Sequence, residues 1–315
     1  MTKIAFMFPG QGSQKVSMGK ELFDYSGKLQ DLYKKANEWL GFDIEALMFE
    51  GPEEKLKQTQ FAQPALLLSS IAVHTLLKEA GLSPDMAIGH SLGEYSALVA
   101  ADAISVEDGL KLVHKRGQLM EEAYPAGKGS MAAVLGLEQT VVEETVKHLE
   151  TDEIVNVANL NCPGQIVISG TKAGVEAATQ PLKEQGAKRV KELVVSGPFH
   201  SELMKPASSS FKTILDDIQM NDPSVPVYAN VTAKPVTSAN EIKQLLTEQL
   251  YSPVRFEESV REMIDAGAEV FVEVGTGKVL SGLLRKINRN IKTFAVQDVE
   301  SLEVFLEWCK EEGLC

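Results

Sequence analysis

Apolar residues recur along the chain in two rhythms, and the places where one gives way to the other mark its elements. Short continuous apolar runs read as buried strands at residues 3–8, 86–88, 270–274 and 293–296. Between the first two, residues 17–83 carry apolar positions at helical spacing and close on Gly81. Residues 105–122 read as another helix, with Ser105 as N-cap and Asp108 at the third helical position, near a capping box. Its buried stripe is Val106, Gly109, Leu110, Val113, Gly117 and Met120. Arg116 stands at the margin of that stripe, beside the room left by Gly117, and by pattern alone it reads as a solvated charge. No apolar run is expected to reach the roughly 20 residues of a membrane span.

From residue 127 the rhythm changes to strand 131–135, helix 138–149, strand 154–160, strand 165–169, helix 173–186 and strand 189–195. That order is the split βαβ, ferredoxin-like unit. Its ends, Gly127-Lys128-Gly129 and Ser196-Gly197-Pro198, read as hinges. The chain is therefore expected to hold a small domain at 127–196, inserted into a discontinuous large domain made of 1–126 and 197–315. Beyond the insert come strand 225–230, helices 241–250 and 256–266, strand 270–274, helix 278–288, strand 293–296 and a last helix.

Composition narrows the class. Apolar residues make up 44% and charged residues 24% of 315, a balance able to bury a large core. A net charge of −13 argues against a nucleic-acid or anionic-membrane surface, although local basic patches stay possible. Cys162, Cys309 and Cys315 show no metal-ligand spacing and are too few for a disulfide framework. The first residues enter a strand without a cleavable signal pattern, so a cytoplasmic protein is expected.

The chemistry centres on residues 86–101, MAIGHSLGEYSALVAA. Strand, tight turn and helix follow one another around Gly89-His90-Ser91-Leu92-Gly93, which matches the nucleophile elbow G-x-S-x-G. Gly89 and Gly93 let strand and helix pass without a Cβ clash. Ser91 Oγ then emerges at a helix start, where the Leu92 N–H can stabilise an oxyanion. A Gly-rich turn before an ordinary helix would carry the same letters. Pro9-Gly10-Gln11-Gly12-Ser13-Gln14, after the first strand, fails the dinucleotide fingerprint because Lys15 stands where its third glycine belongs. An N–H of that loop can act as the second oxyanion donor.

Of five histidines, His200 is the best general-base candidate, past a Gly-Pro turn at the expected carboxyl end of a strand. His74 reads as a core residue on an apolar helix face, and His148 sits among charges. His114 is flanked by Lys115 and Arg116, and His90 belongs to the elbow. The turn Asn159 to Gln165 is rich in amides, which turn chemistry and ligand binding explain equally well. Residues 275–278, GTGK, imitate a phosphate-binding loop, but Val272 and Val279 occupy positions that need Gly and Ser or Thr.

PGQGSQ, AQPALL, GHSLGEYSALVA, KRGQLM, NLNCPGQIVISG, SGPFHSELM and EQLYSPVRF follow one another over almost the whole chain. Together they resemble the malonyl-CoA:acyl carrier protein transacylases, acyltransferases of bacterial fatty acid synthesis. The resemblance implies an α/β-hydrolase-like parallel-sheet domain with the ferredoxin-like insert, and a site in the cleft between them. It implies Ser91 as nucleophile and His200 as base, with oxyanion N–H groups from Gln11 and Leu92. Arg116 would hold the malonyl carboxylate, the backbone carbonyl of Gln249 would orient His200, and Gln63 and Asn161 would lie near the pocket. Phe199, beside His200, would narrow that pocket against a methyl branch.

The resemblance implies malonyl-CoA and acyl carrier protein as partners, a CoA thioester as substrate, phosphopantetheine carried by the partner, and no bound cofactor. The family's acidic carrier would need a local cationic patch. Lys183, Lys188, Arg189 and Lys191, or Lys278, Arg285, Lys286 and Arg289, could form it. A serine thioesterase or esterase, a stand-alone acyltransferase of polyketide synthesis and a non-catalytic docking module remain as alternatives.

Overall fold

In the computed structural model, which describes residues 2–125 and 127–314, the first strand Lys3–Phe8 (β1) lies inside a six-stranded sheet. Met1, Ala126 and Cys315 lie outside the described residues, and with them the outer ends of the expected domains and the last cysteine. Five of β1's six side chains are buried, as the apolar run KIAFMF requires of a strand covered on both faces. Its neighbours are Met86–Gly89 (β2) and Ala268–Val274, both parallel to it.

A second, four-stranded sheet follows β2 in the chain. It contains Gly129–Leu135 (β3), Val155–Cys162 (β4), Gln165–Thr171 (β5) and Arg189–Glu192 (β6), in the order β4-β5-β3-β6 and antiparallel throughout. Helices Gln139–Lys147 and Lys172–Glu184 complete the βαββαβ unit. The remaining strands, Val227–Tyr228 (β7), Pro235–Val236 (β8), Ala268–Val274 (β9) and Lys292–Val296 (β10), return to the first sheet, whose order is β10-β9-β1-β2-β7-β8. All of its pairs are parallel except β7 with β8. The unexpected strand β8 holds a proline at the sheet edge, where a missing N–H breaks no ladder.

Three expectations change. Strand β6 stops at Glu192 rather than 195, because Ser196-Gly197-Pro198 leaves the sheet, where Pro198 packs on Gly129. His200 therefore does not end a strand. Helix Thr59–Glu79 is 21 residues long and apolar enough to cross a membrane by length and composition. Of its apolar window 83% is buried inside the protein, as a core helix requires. Finally, the small sheet is bound, away from its two expected hinges, to the segment just before helix Phe256–Asp265. Leu160 N–H donates to Val254 O and Val254 N–H to Ala158 O, each at 2.8 Å.

Helix 279–287 explains why GTGK is no phosphate loop. Glu273, buried on β9, accepts from Leu280 N (3.0 Å), Ser281 N (2.8 Å) and Ser281 Oγ (2.7 Å). The helix start is already capped by the protein's own carboxyl group.

Candidate active site

Register sets the elbow. Phe8 pairs with Gly89, and the chain then turns so sharply that a Cβ on Gly89 would collide with the Gly93 carbonyl. One on Gly93 would collide with Phe8 O. Both positions must be glycine for the strand and helix Leu92–Ala100 to cross. Ser91 absorbs the turn, with φ 51° and ψ −103°. A non-glycine residue at such a φ is strained by about 1–3 kcal/mol, and the surroundings must hold it. Here Asn230 does so: its Oδ1 accepts from Ser91 N at 2.7 Å, and its Nδ2 donates to Gly89 O at 2.7 Å.

Ser91 Oγ lies 2.8 Å from His200 Nε2, and His200 Nδ1 lies 2.8 Å from the backbone oxygen of Gln249. That carbonyl can only accept, so Nδ1 carries the proton and Nε2 is left as the base. The His200 backbone N–H also donates to Leu250 O at 3.1 Å, so two bonds to one short segment place the ring. Burial, and then the Arg116 charge, push the His200 pKa down to about 3, against the Gln249 carbonyl. The imidazole is thus neutral and ready to accept a proton.

Arg116 is fully buried, which overturns the reading of it as a solvated charge. Its Nη2 donates to Ser91 Oγ at 3.1 Å and to Gln249 Oε1 at 2.8 Å, and its Cζ stands 5.2 Å from the centre of the Tyr95 ring. Its Nε–H has no acceptor among the described residues. Gly117 does not make room for the arginine. A Cβ there would lie 2.6 Å from Gln60 Cα, so the glycine lets helix Val106–Glu122 close on the first turn of helix Thr59–Glu79.

The other expected residues are nearby in varying degree. Leu92 opens its helix, so its N–H belongs to the free end of the backbone. Gln11 Nε2 donates to Thr59 Oγ1 at 3.2 Å. Asn161 Oδ1 lies 2.8 Å from His90 Nε2, which joins the β4–β5 turn to the elbow. Gln63 is buried, with Nε2 on Met120 Sδ at 3.5 Å and no partner for Oε1 among the described residues. Phe199 is buried next to His200. His74 is a core residue, edge-on to Phe6, with its pKa lowered to about 4 by burial.

Sequence reasoning missed Glu94 and Asn230. Glu94 Oε2 accepts from Gln249 Nε2 at 2.8 Å and from Asn230 N at 3.0 Å. Burial pushes its carboxyl up to about 7, while those two donors and Arg116 pull the other way. A charged residue three positions after the nucleophile, in an otherwise apolar helix, was the available signal.

An elbow serine paired with a neutral histidine and a buried arginine, on a mostly parallel sheet, defines a serine-dependent acyl-transfer enzyme. Residues 5–314 match the family model described as acyl transferase domain. A malonyl CoA-acyl carrier protein transacylase of Bacillus subtilis (strain 168) is 54% identical, over 99% of each chain. The structure of the Clostridium perfringens malonyl CoA-acyl carrier protein transacylase superposes with a TM-score of 0.96 at 41% identity, over 99% of both chains. A malonyl-transacylase in complex with its type II PKS acyl-carrier protein gives 0.95 at 41%, over 97% of this chain and 99% of that one. The chain belongs to the malonyl-CoA:acyl carrier protein transacylase family.

Proposed function

We propose that the chain moves a malonyl group from malonyl-CoA to the phosphopantetheine thiol of acyl carrier protein, supplying fatty acid synthesis in the cytoplasm. The observation that carries this reading is Ser91 Oγ held between His200 Nε2 and Arg116 Nη2. Ser91 Oγ attacks the thioester carbonyl as His200 takes its proton, and the oxyanion is met by the N–H groups of Leu92 and Gln11. Collapse expels CoA thiolate, which leaves with the His200 proton as CoA thiol. The carrier thiol then gives its proton to His200, attacks the malonyl ester and regenerates Ser91. The acceptor of His200 Nδ1–H is a neutral carbonyl, which stabilises imidazolium less than a carboxylate would. That suits an ester that must outlast the wait for a thiol.

The CoA thioester is a substrate and phosphopantetheine belongs to the partner, so the chain is assigned no cofactor of its own. In the same reading, 127–196 is the small domain, and 1–126 with 197–315 the large one. Arg116 is buried and hydrogen-bonds no carboxylate among the described residues, which favours a malonyl transferase over a thioesterase or esterase, which has no use for such a cation. A polyketide role would use the same residues with another carrier. Mass spectrometry of the intact chain tests the transfer. Malonyl-CoA should add one malonyl group, which holo-carrier protein removes. No adduct, or steady hydrolysis without carrier, overturns the reading.

For carrier docking, the cluster on helix Val279–Ile287 is favoured over the one near β6. Lys286 Nζ donates to Gln165 Oε1 at 3.0 Å, beside the turn whose Asn161 reaches the elbow. Arg285→Glu with Arg289→Glu should raise the apparent KM for carrier protein by about tenfold through lost steering, with a smaller change for malonyl-CoA. An unchanged carrier KM would place docking elsewhere.

A further inference from the structure

Gln249 does more than offer its backbone to His200. Its side-chain amide lies between the buried Arg116 and Glu94, accepting from Arg116 through Oε1 and donating through Nε2 to Glu94 and, at 3.1 Å, to Ser91 O. The amide has one sensible orientation. Reversed, it would turn its NH₂ toward the guanidinium and its oxygen toward a carboxylate and a carbonyl. We propose that Glu94 is a positioning residue that holds Arg116 in place and aimed at the substrate carboxylate, acting through the Gln249 amide and not by pairing with the arginine. The inference rests on Arg116 being the carboxylate anchor.

Electrostatics explains why a spacer is useful. A fully buried guanidinium with no opposite charge nearby is very unfavourable. A carboxylate one amide away offsets much of that cost, because Coulomb attraction declines only as the inverse of distance. Were Glu94 in direct contact, it would occupy the N–H groups that a malonyl carboxylate needs and would repel that carboxylate. Arg116 Nε–H has no acceptor among the described residues, so the guanidinium keeps donor capacity beyond its two Nη2 bonds. Glu94 also accepts from Asn230 N, whose Oδ1 accepts from Ser91 N; a glutamine oxygen at position 94 can accept the same bond, so Glu94→Gln leaves the support of the serine in place.

Three proteins test this: Glu94→Gln, Glu94→Gln with Gln249→Glu, and Arg116→Ala. Acylation of Ser91 is measured with malonyl-CoA, acetyl-CoA and p-nitrophenyl acetate, the last needing no carboxylate site. Glu94→Gln keeps the shape and the amide contact but removes the charge. Its KM for malonyl-CoA should rise and its malonyl-to-acetyl ratio should fall, each by about tenfold or more, with ester acylation within about twofold of wild type. The double variant keeps the net charge but places the carboxylate against Arg116, and it should lose malonyl preference at least as far. The proposal is overturned if Glu94→Gln keeps the wild-type ratio, if it loses all three donors in parallel, or if the double variant restores malonyl preference. An unchanged ratio in Arg116→Ala would instead overturn the anchor assignment itself.

Discussion

Ser91→Ala is expected to form no malonyl-enzyme and to lose transfer by about 10⁴-fold or more, as removal of a nucleophile does in serine enzymes. The change deletes one oxygen at a position already committed to φ 51°, and alanine fits the same backbone no worse than serine. The fold should therefore survive, with a melting temperature within a few degrees of wild type. His200→Ala should cost a similar factor, and the double variant little more than either alone, because the two act as one unit. Acylation by p-nitrophenyl acetate, which isolates the pair from Arg116 and Glu94, should also stay level from about pH 8 to about pH 5. An ordinary histidine, with a pKa near 6.5, would take up its proton within that window. His200 does not, because its folded-state value is lowered to about 3. Wild-type rates in Ser91→Ala, or an acid limb near pH 6.5 in the ester reaction, would refute these roles.

What could be read in advance divides along the distance between interacting residues. The elbow is local: five consecutive residues contain both glycines and the serine, and the steric reasons for them act within the turn. The insert was legible for a related reason, since the alternation of its strands and helices is written in local periodicity, although β3 pairs with β5 and β6 and not with the next strand in the chain. Arg116 was not. Its burial depends on Gln249, 133 positions away, and on Gly117 meeting Gln60, neither of which periodicity contains. Asn230 supports Ser91 across 139 positions, and Glu94 finds Gln249 across 155. The place of His200 was reasoned from a strand end that does not exist. What fixes it is the end of helix Ala239–Gln249, where Gln249 O takes the ring N–H and Leu250 O the backbone N–H.

Arg116→Ala should have the largest effect on substrate choice. Malonyl and acetyl thioesters differ by one carboxylate, so discrimination between them needs a cation that only the former can satisfy. The guanidinium is fully buried, ends 3.1 Å from the nucleophile and has an Nε–H without an acceptor among the described residues, while a planar guanidinium suits two parallel bonds to a carboxylate. Acetyl-CoA would leave that charge desolvated, and a broken buried pair costs about 3–5 kcal/mol. Alanine removes both the attraction for malonyl and the penalty on acetyl. Malonyl kcat/KM should fall by about two orders of magnitude or more, and the malonyl-to-acetyl ratio should fall with it. Arg116→Lys should recover part of the loss, since an ammonium supplies the charge without the fork. Methylmalonyl-CoA should be the poorer acid substrate in wild type, as expected of a pocket narrowed by Phe199, which is buried and adjoins His200 in the chain. The decisive measurement is kcat/KM for the three thioesters in all three proteins. A malonyl-to-acetyl ratio that survives in Arg116→Ala would mean that the carboxylate is held by another residue.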